Sequence, residues 1–123
     1  MSTILIVDDY AAIRAAIRTR FASCSALMVC GEAVDGIDAI EKARTLKPDL
    51  ILLDISMPRM NGVEAASILK GLLPDVRIVA FTMYAHTLEN SLAAAVGIDV
   101  VLSKPEGINQ VVDCVRALLP APA

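Results

Sequence analysis

The sequence predicts an α/β fold, a three-layer (βα)5 sandwich around a five-stranded parallel sheet, and three observations predict it. Short β-branched runs alternate with segments of helical period from one end of the chain to the other, the mark of βα units. The strand runs are continuously apolar, as burial on both faces of a sheet requires. At 123 residues, 56% apolar and 20% charged, the chain suits one domain that buries a core without metal or disulfide staples.

Taken in order, the first strand is expected over residues 3–7, and the first helix follows from Ile13, Ile17 and Phe21 at four-residue spacing. A second strand is expected over 27–32, then a helix over 36–46 that Pro48 stops and the Asp38/Lys42 pair at i, i+4 supports. The third strand, 50–53, is all Leu and Ile, and a helix over 62–73 ends at Pro74. Residues 76–81 form the fourth strand, and Leu88, Leu92 and Ala95 at i, i+4, i+7 mark the apolar stripe of a fourth helix. The fifth strand is expected over 99–102, and Ile108, Val111, Val112, Val115 and Leu119 mark the inner face of the last helix. Right-handed crossovers place helices on both faces, for which the flavodoxin-like strand order 2-1-3-4-5 is the expected solution. The domain is read as residues 1–119, with 120–123 a tail or the start of a linker.

Composition narrows the function classes. Lys and Arg number 11 against 14 Asp and Glu, a net charge of −3, and they are scattered singly. Neither direct nucleic-acid binding by this domain nor an anionic membrane surface is therefore expected, since both need clustered positive charge. Cys24, Cys30 and Cys114 fall at no metal-ligand spacing and read as reduced core or near-core residues. No apolar run approaches the ~20 residues that span a bilayer, and no cleavable leader is visible, so a cytoplasmic location is expected.

In such sheets ligands bind at the carboxyl ends of the strands, and acidic groups dominate there. Asp8 and Asp9 follow the first strand, Asp54 the third, Thr82 the fourth, and Ser103, Lys104 and Pro105 the fifth. With the first and third strands adjacent, three carboxylates crowd together. Like charges about 4 Å apart repel by about 4 kcal/mol at an effective dielectric of 20, so the cluster calls for a cation or a raised carboxyl pKa, and Lys104 alone cannot balance three. Hard oxygens with no His or Cys beside them select Mg2+ with open positions for substrate oxygens. A phosphoryl group fits those positions, because Mg2+, a Lys point charge and a hydroxyl are the recurring parts of phosphoryl-transfer sites. Asp54 is then the nucleophile and an acyl phosphate the product. Each residue also has an ordinary reading: Asp8 and Asp9 as helix caps, Asp54 as a turn carboxylate, Thr82 as a strand-end hydroxyl, Lys104 as a solvated loop lysine.

Together, Asp8-Asp9, the stretch from Asp54 through Ser56, Met57, Pro58, Arg59, Met60 and Asn61 to Gly62, Thr82, and Lys104-Pro105 resemble the receiver (phosphoacceptor) domain of bacterial two-component response regulators. The resemblance covers residues 3 to about 119, and Val29-Cys30-Gly31-Glu32-Ala33 with Lys47-Pro48-Asp49 is most similar to receivers that precede a helix-turn-helix output domain. It implies that Asp54 takes a phosphoryl group from a phosphohistidine of a sensor histidine kinase or phosphotransfer protein. It further implies that Asp9 and Asp54, with Asp8 through water and the Ser56 backbone carbonyl directly, hold Mg2+. Thr82 and Lys104 would bind phosphoryl oxygens, and the Lys104-Pro105 peptide is expected to be cis. The implied output is a change in the face built from the fourth helix, fifth strand and fifth helix. That change would reach a downstream protein or a fused DNA-binding domain, with homodimer formation on phosphorylation. Its only catalysis would be on itself, self-phosphorylation and autodephosphorylation, so it is not read as an enzyme.

The departures shape the expectations as much. Such receivers usually carry Tyr or Phe three residues before the lysine, and here the position is Val101, so switching is expected to run through backbone and helix movement rather than a buried ring. The resemblance further implies that Ser56 and Tyr84 stand where side chains tune attack of water on the acyl phosphate, with Tyr84 equally readable as a plain exposed tyrosine. His86 is expected to be a solvated loop residue, the donor histidine belonging to another protein. A phosphohydrolase would want a carboxylate where Ser56 stands, and an FMN carrier would want a glycine- and hydroxyl-rich loop where Asp8-Asp9-Tyr10 stand. A receiver fold kept as a constitutive docking module is the remaining alternative, which phosphotransfer to Asp54 distinguishes.

Overall fold

Because side chains alternate across a strand, a run such as Ile4-Leu5-Ile6-Val7 must find apolar partners on both sides of the sheet. The computed structural model describes residues 2–55, 60–83, 90–104 and 109–119. Its strands are β1 (Ser2–Val7), β2 (Leu27–Ala33), β3 (Leu50–Leu53), β4 (Arg77–Thr82) and β5 (Val100–Ser103). The helices among the described residues are α1 (Ala11–Ala22), α2 (Gly36–Leu46), α3 (Gly62–Leu72), α4 (Asn90–Ala95) and α5 (Val111–Leu118). All strand pairs are parallel, in the order β2-β1-β3-β4-β5, as the sequence predicts.

The alternation splits the core in two. Leu5, Val7, Ile51, Leu53, Ile78 and Ala80 face α2, α3 and α4, which meet them with the small residues Ala39, Ala43, Ala65, Ala66 and Ala93. Ile4, Ile6, Leu50, Leu52, Val79 and Phe81 face the other way, against Ile17 and Phe21 of α1 and Val111 and Val115 of α5. Each fully buried Leu or Ile contributes about 1.5–3 kcal/mol of transfer free energy, so the central strands β1 and β3 anchor both layers.

One irregularity positions function. The β1–β2 register shifts between Ile4 and Leu5, Ile4 pairing with Val29 and Leu5 with Gly31. A bulge of this kind flips the parity of the residues beyond it. Ala33 therefore joins the α2 side of the core, and Glu32 reaches Arg14 and Arg18 of α1. The thiol of Cys30, within the bulge, donates to the Ile4 carbonyl at 3.4 Å.

Several expected boundaries move. Val76 lies outside β4, where its N–H closes a turn onto the Leu73 carbonyl at 3.0 Å while the side chain stays buried. Asp99 lies outside β5: its N–H donates to the Ile78 carbonyl at 2.8 Å, and its carboxylate accepts from the Ile78 N–H at 2.9 Å. The expected inner stripe of the fourth helix is corrected. Leu92 and Ala95 are exposed, and Ala93 and Val96 pack on the sheet, because a close helix admits small side chains beneath it. Leu88 and Ile108 lie outside the described residues. Cys24 is buried, Cys30 and Cys114 are half-buried, and all three are free thiols. No helix of the described residues is long and apolar enough to cross a membrane.

Candidate functional site

The sheet's own hydrogen-bond ladders run one residue past the strands and deliver the acidic groups. Asp8 N–H donates to the Ala33 carbonyl at 3.0 Å and Asp54 N–H to the Val7 carbonyl at 2.9 Å, so the two residues leave the sheet on neighbouring strands. Thr82, fully buried, closes β4 opposite Ser103 of β5, and Lys104 is the next residue. The structure thus brings Asp8, Asp9, Asp54 and Lys104 together, with Thr82 at the same end of the sheet.

Asp8 and Asp54 are buried and Asp9 is exposed, and each offers a carboxylate oxygen within 4.8 Å of the others'. Lys104 Nζ lies 2.7 Å from Asp8 Oδ2 and 3.2 Å from Asp54 Oδ2, its side chain only 7% exposed. The solvated-loop reading of Lys104 therefore fails. Burial pulls the ammonium's pKa down, but the hydrogen bond it donates to Asp8 and the charges of Asp54 and Asp8 outweigh it and hold the group above its ordinary value. One ammonium against three carboxylates leaves net negative charge, and the all-oxygen donor set suits a hard divalent ion such as Mg2+.

Local sequence explains how each group is held. Asp8 Oδ1 accepts from Tyr10 N–H at 2.9 Å, and α1 begins with Tyr10 at its N-cap and no side-chain cap, so neither Asp8 nor Asp9 is spent capping that helix. Asn61 caps α3 by accepting from Glu64 N–H at 2.9 Å. Gly62 N–H bonds the Ile55 carbonyl at 2.8 Å, and a Cβ on Gly62 would sit 2.5 Å from Ile55 Cα and 2.6 Å from the Asp54 carbonyl oxygen. The bare glycine lets α3 start against the backbone that carries Asp54.

Val101 is half-buried, opposite Ala80, and packs on the side of the sheet that holds α2 to α4. Ser56, Tyr84, His86 and Pro105 lie outside the described residues, and with them fall the expected carbonyl ligand at Ser56, the expected modulating roles of Ser56 and Tyr84, the expected solvated His86 and the cis peptide expected at Lys104-Pro105. Arg14 and Glu32 are not among the site residues that the sequence singles out. Arg14 Nη1 donates to the Asp8 carbonyl at 2.6 Å and its Nε to Glu32 Oε1 at 2.9 Å, while Arg18 Nε takes Glu32 Oε2 at 2.9 Å. A signal existed: Arg14 and Arg18 are like charges at i, i+4, unfavourable without an anion between them.

A family model described as the response regulator receiver domain matches residues 4–116. The response regulator protein VraR of Staphylococcus saprophyticus is 38% identical over 113 residues, 92% of this chain and 54% of the relative. The chain thus spans about half the length of the curated relatives it matches. Among solved structures, the response regulator domain of Thermotoga maritima CheB is similar with a TM-score of 0.84 and 29% identity, covering 99% of both chains. TrrA of Thermotoga maritima, a response regulator protein solved in complex with Mg(2+)-BeF, is similar with a TM-score of 0.85 and 28% identity, covering 97% of this chain and 100% of that one.

Proposed function

The chain belongs to the response regulator receiver domain family, the receiver module of two-component signalling, and from that premise we propose that Asp54 is its phosphoacceptor. The observation that carries the reading is the burial of the Asp54 carboxylate beside Lys104 and Asp8 at the carboxyl ends of β1 and β3. One carboxylate oxygen of Asp54 forms the new P–O bond as the donor's P–N bond breaks, the electron pair returning to the imidazole of a sensor kinase or phosphotransfer protein. Lys104 pairs with a phosphoryl oxygen, and the Thr82 hydroxyl donates to another. Asp8, Asp9 and Asp54, with the Ser56 carbonyl, are the residues that would hold Mg2+. Bound there, Mg2+ supplies positive charge to the phosphoryl oxygens.

The switch follows from where Thr82 sits. Its movement toward the phosphoryl group shifts β4 and the segment beyond it, and Val101 offers no ring to fill the space left behind, so the change reaches the α4-β5-α5 face through the backbone. That face would engage a downstream protein, a fused DNA-binding domain in the length that the curated relatives have beyond this match, or a second copy of the chain. Tyr84 would shield the acyl phosphate from water, and the protein's only catalysis is on itself, in the cytoplasm.

Labelled acetyl phosphate with Mg2+ tests the reading on wild type and Asp54→Asn. Wild type should gain one phosphoryl group and Asp54→Asn none; equal labelling of the two would overturn it.

A further inference from the structure

Arg14 is held on both sides of its guanidinium. Its side chain is 15% exposed, Nε pairs with Glu32 Oε1 at 2.9 Å, and Nη1 donates to the backbone carbonyl of Asp8 at 2.6 Å. Glu32 is itself fixed, since Arg18 takes its second carboxylate oxygen at 2.9 Å and Lys42 Nζ donates to its backbone carbonyl. The carbonyl that Arg14 grips belongs to the rigid peptide plane joining Asp8 to Asp9, so holding that oxygen sets the orientation of both residues. We infer that Arg14 is a positioning residue for the acidic pocket, pinning the Asp8–Asp9 peptide so that both carboxylates are presented to a divalent cation. The inference rests on the reading of Asp8, Asp9 and Asp54 as a Mg2+ site.

The register shift in β2 is what makes the grip available, because without it Glu32 would point to the α2 side and leave Arg14 without its carboxylate. Charge and positioning act in opposite directions here. As a cation near the pocket, Arg14 opposes binding of another cation, so its removal on electrostatics alone tightens Mg2+ binding. As the holder of the Asp8–Asp9 peptide it favours binding, so its removal loosens it. The sign of the change therefore separates the two roles.

Mg2+ titration by calorimetry on wild type, Arg14→Gln and Arg14→Lys, each checked for folding by circular dichroism, tests the inference. Loss of an outer partner of a metal ligand typically costs 10-fold or more in affinity, and Arg14→Gln should bind Mg2+ about 10-fold more weakly than wild type. Arg14→Lys keeps the charge but cannot span Asp8 and Glu32 at once, and should also stay weaker than wild type. Labelling of Arg14→Gln by acetyl phosphate should be slow at limiting Mg2+ and recover when Mg2+ saturates. Unchanged or tighter Mg2+ binding by folded Arg14→Gln, even with a lowered melting temperature, would overturn the inference. Should Arg14→Gln not fold, Glu32→Gln decides: it leaves Arg14 in place without its orienting charge, and unchanged Mg2+ affinity would count against the role. Wild type failing to bind Mg2+ would instead remove the underlying metal-site reading.

Discussion

Replacing Lys104 with methionine keeps most of the side-chain volume and removes the ammonium that separates two buried carboxylates. At the observed 2.7 Å and 3.2 Å, its attraction to Asp8 and Asp54 is about 6 and about 5 kcal/mol at an effective dielectric of 20. Desolvation of the three charges offsets much of that, and removing one partner from a buried pair typically costs about 3–5 kcal/mol. Taking about 3 kcal/mol, and an unfolding entropy of roughly 2.1 cal/mol/K for each of the 123 residues, Lys104→Met should melt about 12 °C below wild type in EDTA. Mg2+ should restore much of the difference, since a divalent cation relieves the same repulsion, so the Mg2+-induced rise in melting temperature should be larger in the variant. Thermal unfolding by circular dichroism, with EDTA and with saturating Mg2+, reads both effects. Equal melting of the two proteins in EDTA, or an equal response to Mg2+, would refute the view that Lys104 balances the acidic pocket. The raised pKa adds a limit: the Lys104 contribution is complete below the ordinary lysine value and fades only as pH rises through the higher folded-state value.

Gly62→Ala forces a Cβ against the backbone of Asp54 and Ile55, where no rotamer can yield; a loss of about 1–3 kcal/mol in urea denaturation, with slowed labelling of Asp54, is expected. Wild-type stability and labelling in that variant would show that α3 does not abut the site. Glu32→Gln should cost about 0.5–1 kcal/mol at neutral pH, a small figure because its side chain is about a third exposed. Burial pushes the Glu32 carboxyl up, but hydrogen bonds from Arg18 and Arg14 outweigh it and hold the group below its ordinary value. Its stabilisation is thus complete above that ordinary value and lost as pH falls through the folded one, so the gap between wild type and variant should close in acid. A gap that persists at low pH would assign it to packing. Leu52→Ala, deep between β3 and the α1/α5 layer, should lose about 2–5 kcal/mol without changing which residue is phosphorylated.

Much of this protein is legible in one dimension. Continuous apolar strands such as Leu50–Leu53 can only be buried on both faces, and the periodicity of Ile13, Ile17 and Phe21 admits one inner side, so the layers and strand order follow from local pattern and chain chirality. The site was legible for the same reason: a parallel sheet aligns its strand ends, and Asp8, Asp54, Thr82 and Lys104 each stand at one. Where pattern is weak the expectation and the structure part, as at α4, whose small inner residue Ala93 carries less periodic signal than the exposed Leu92.

Order along the chain therefore determined the fold, its layers and the acidic edge, because these depend on hydrophobic period and on which residue ends each strand. Tertiary structure alone decided the burial of Lys104 between two carboxylates, the clearance under Gly62 and the grip of Arg14 on Asp8. Each of those depends on how packed elements settle against one another, strand ends 50 or more residues apart for Lys104, a helix start against a strand end for Gly62, and a helix held by Glu32 beyond the β2 bulge for Arg14, rather than on any local preference.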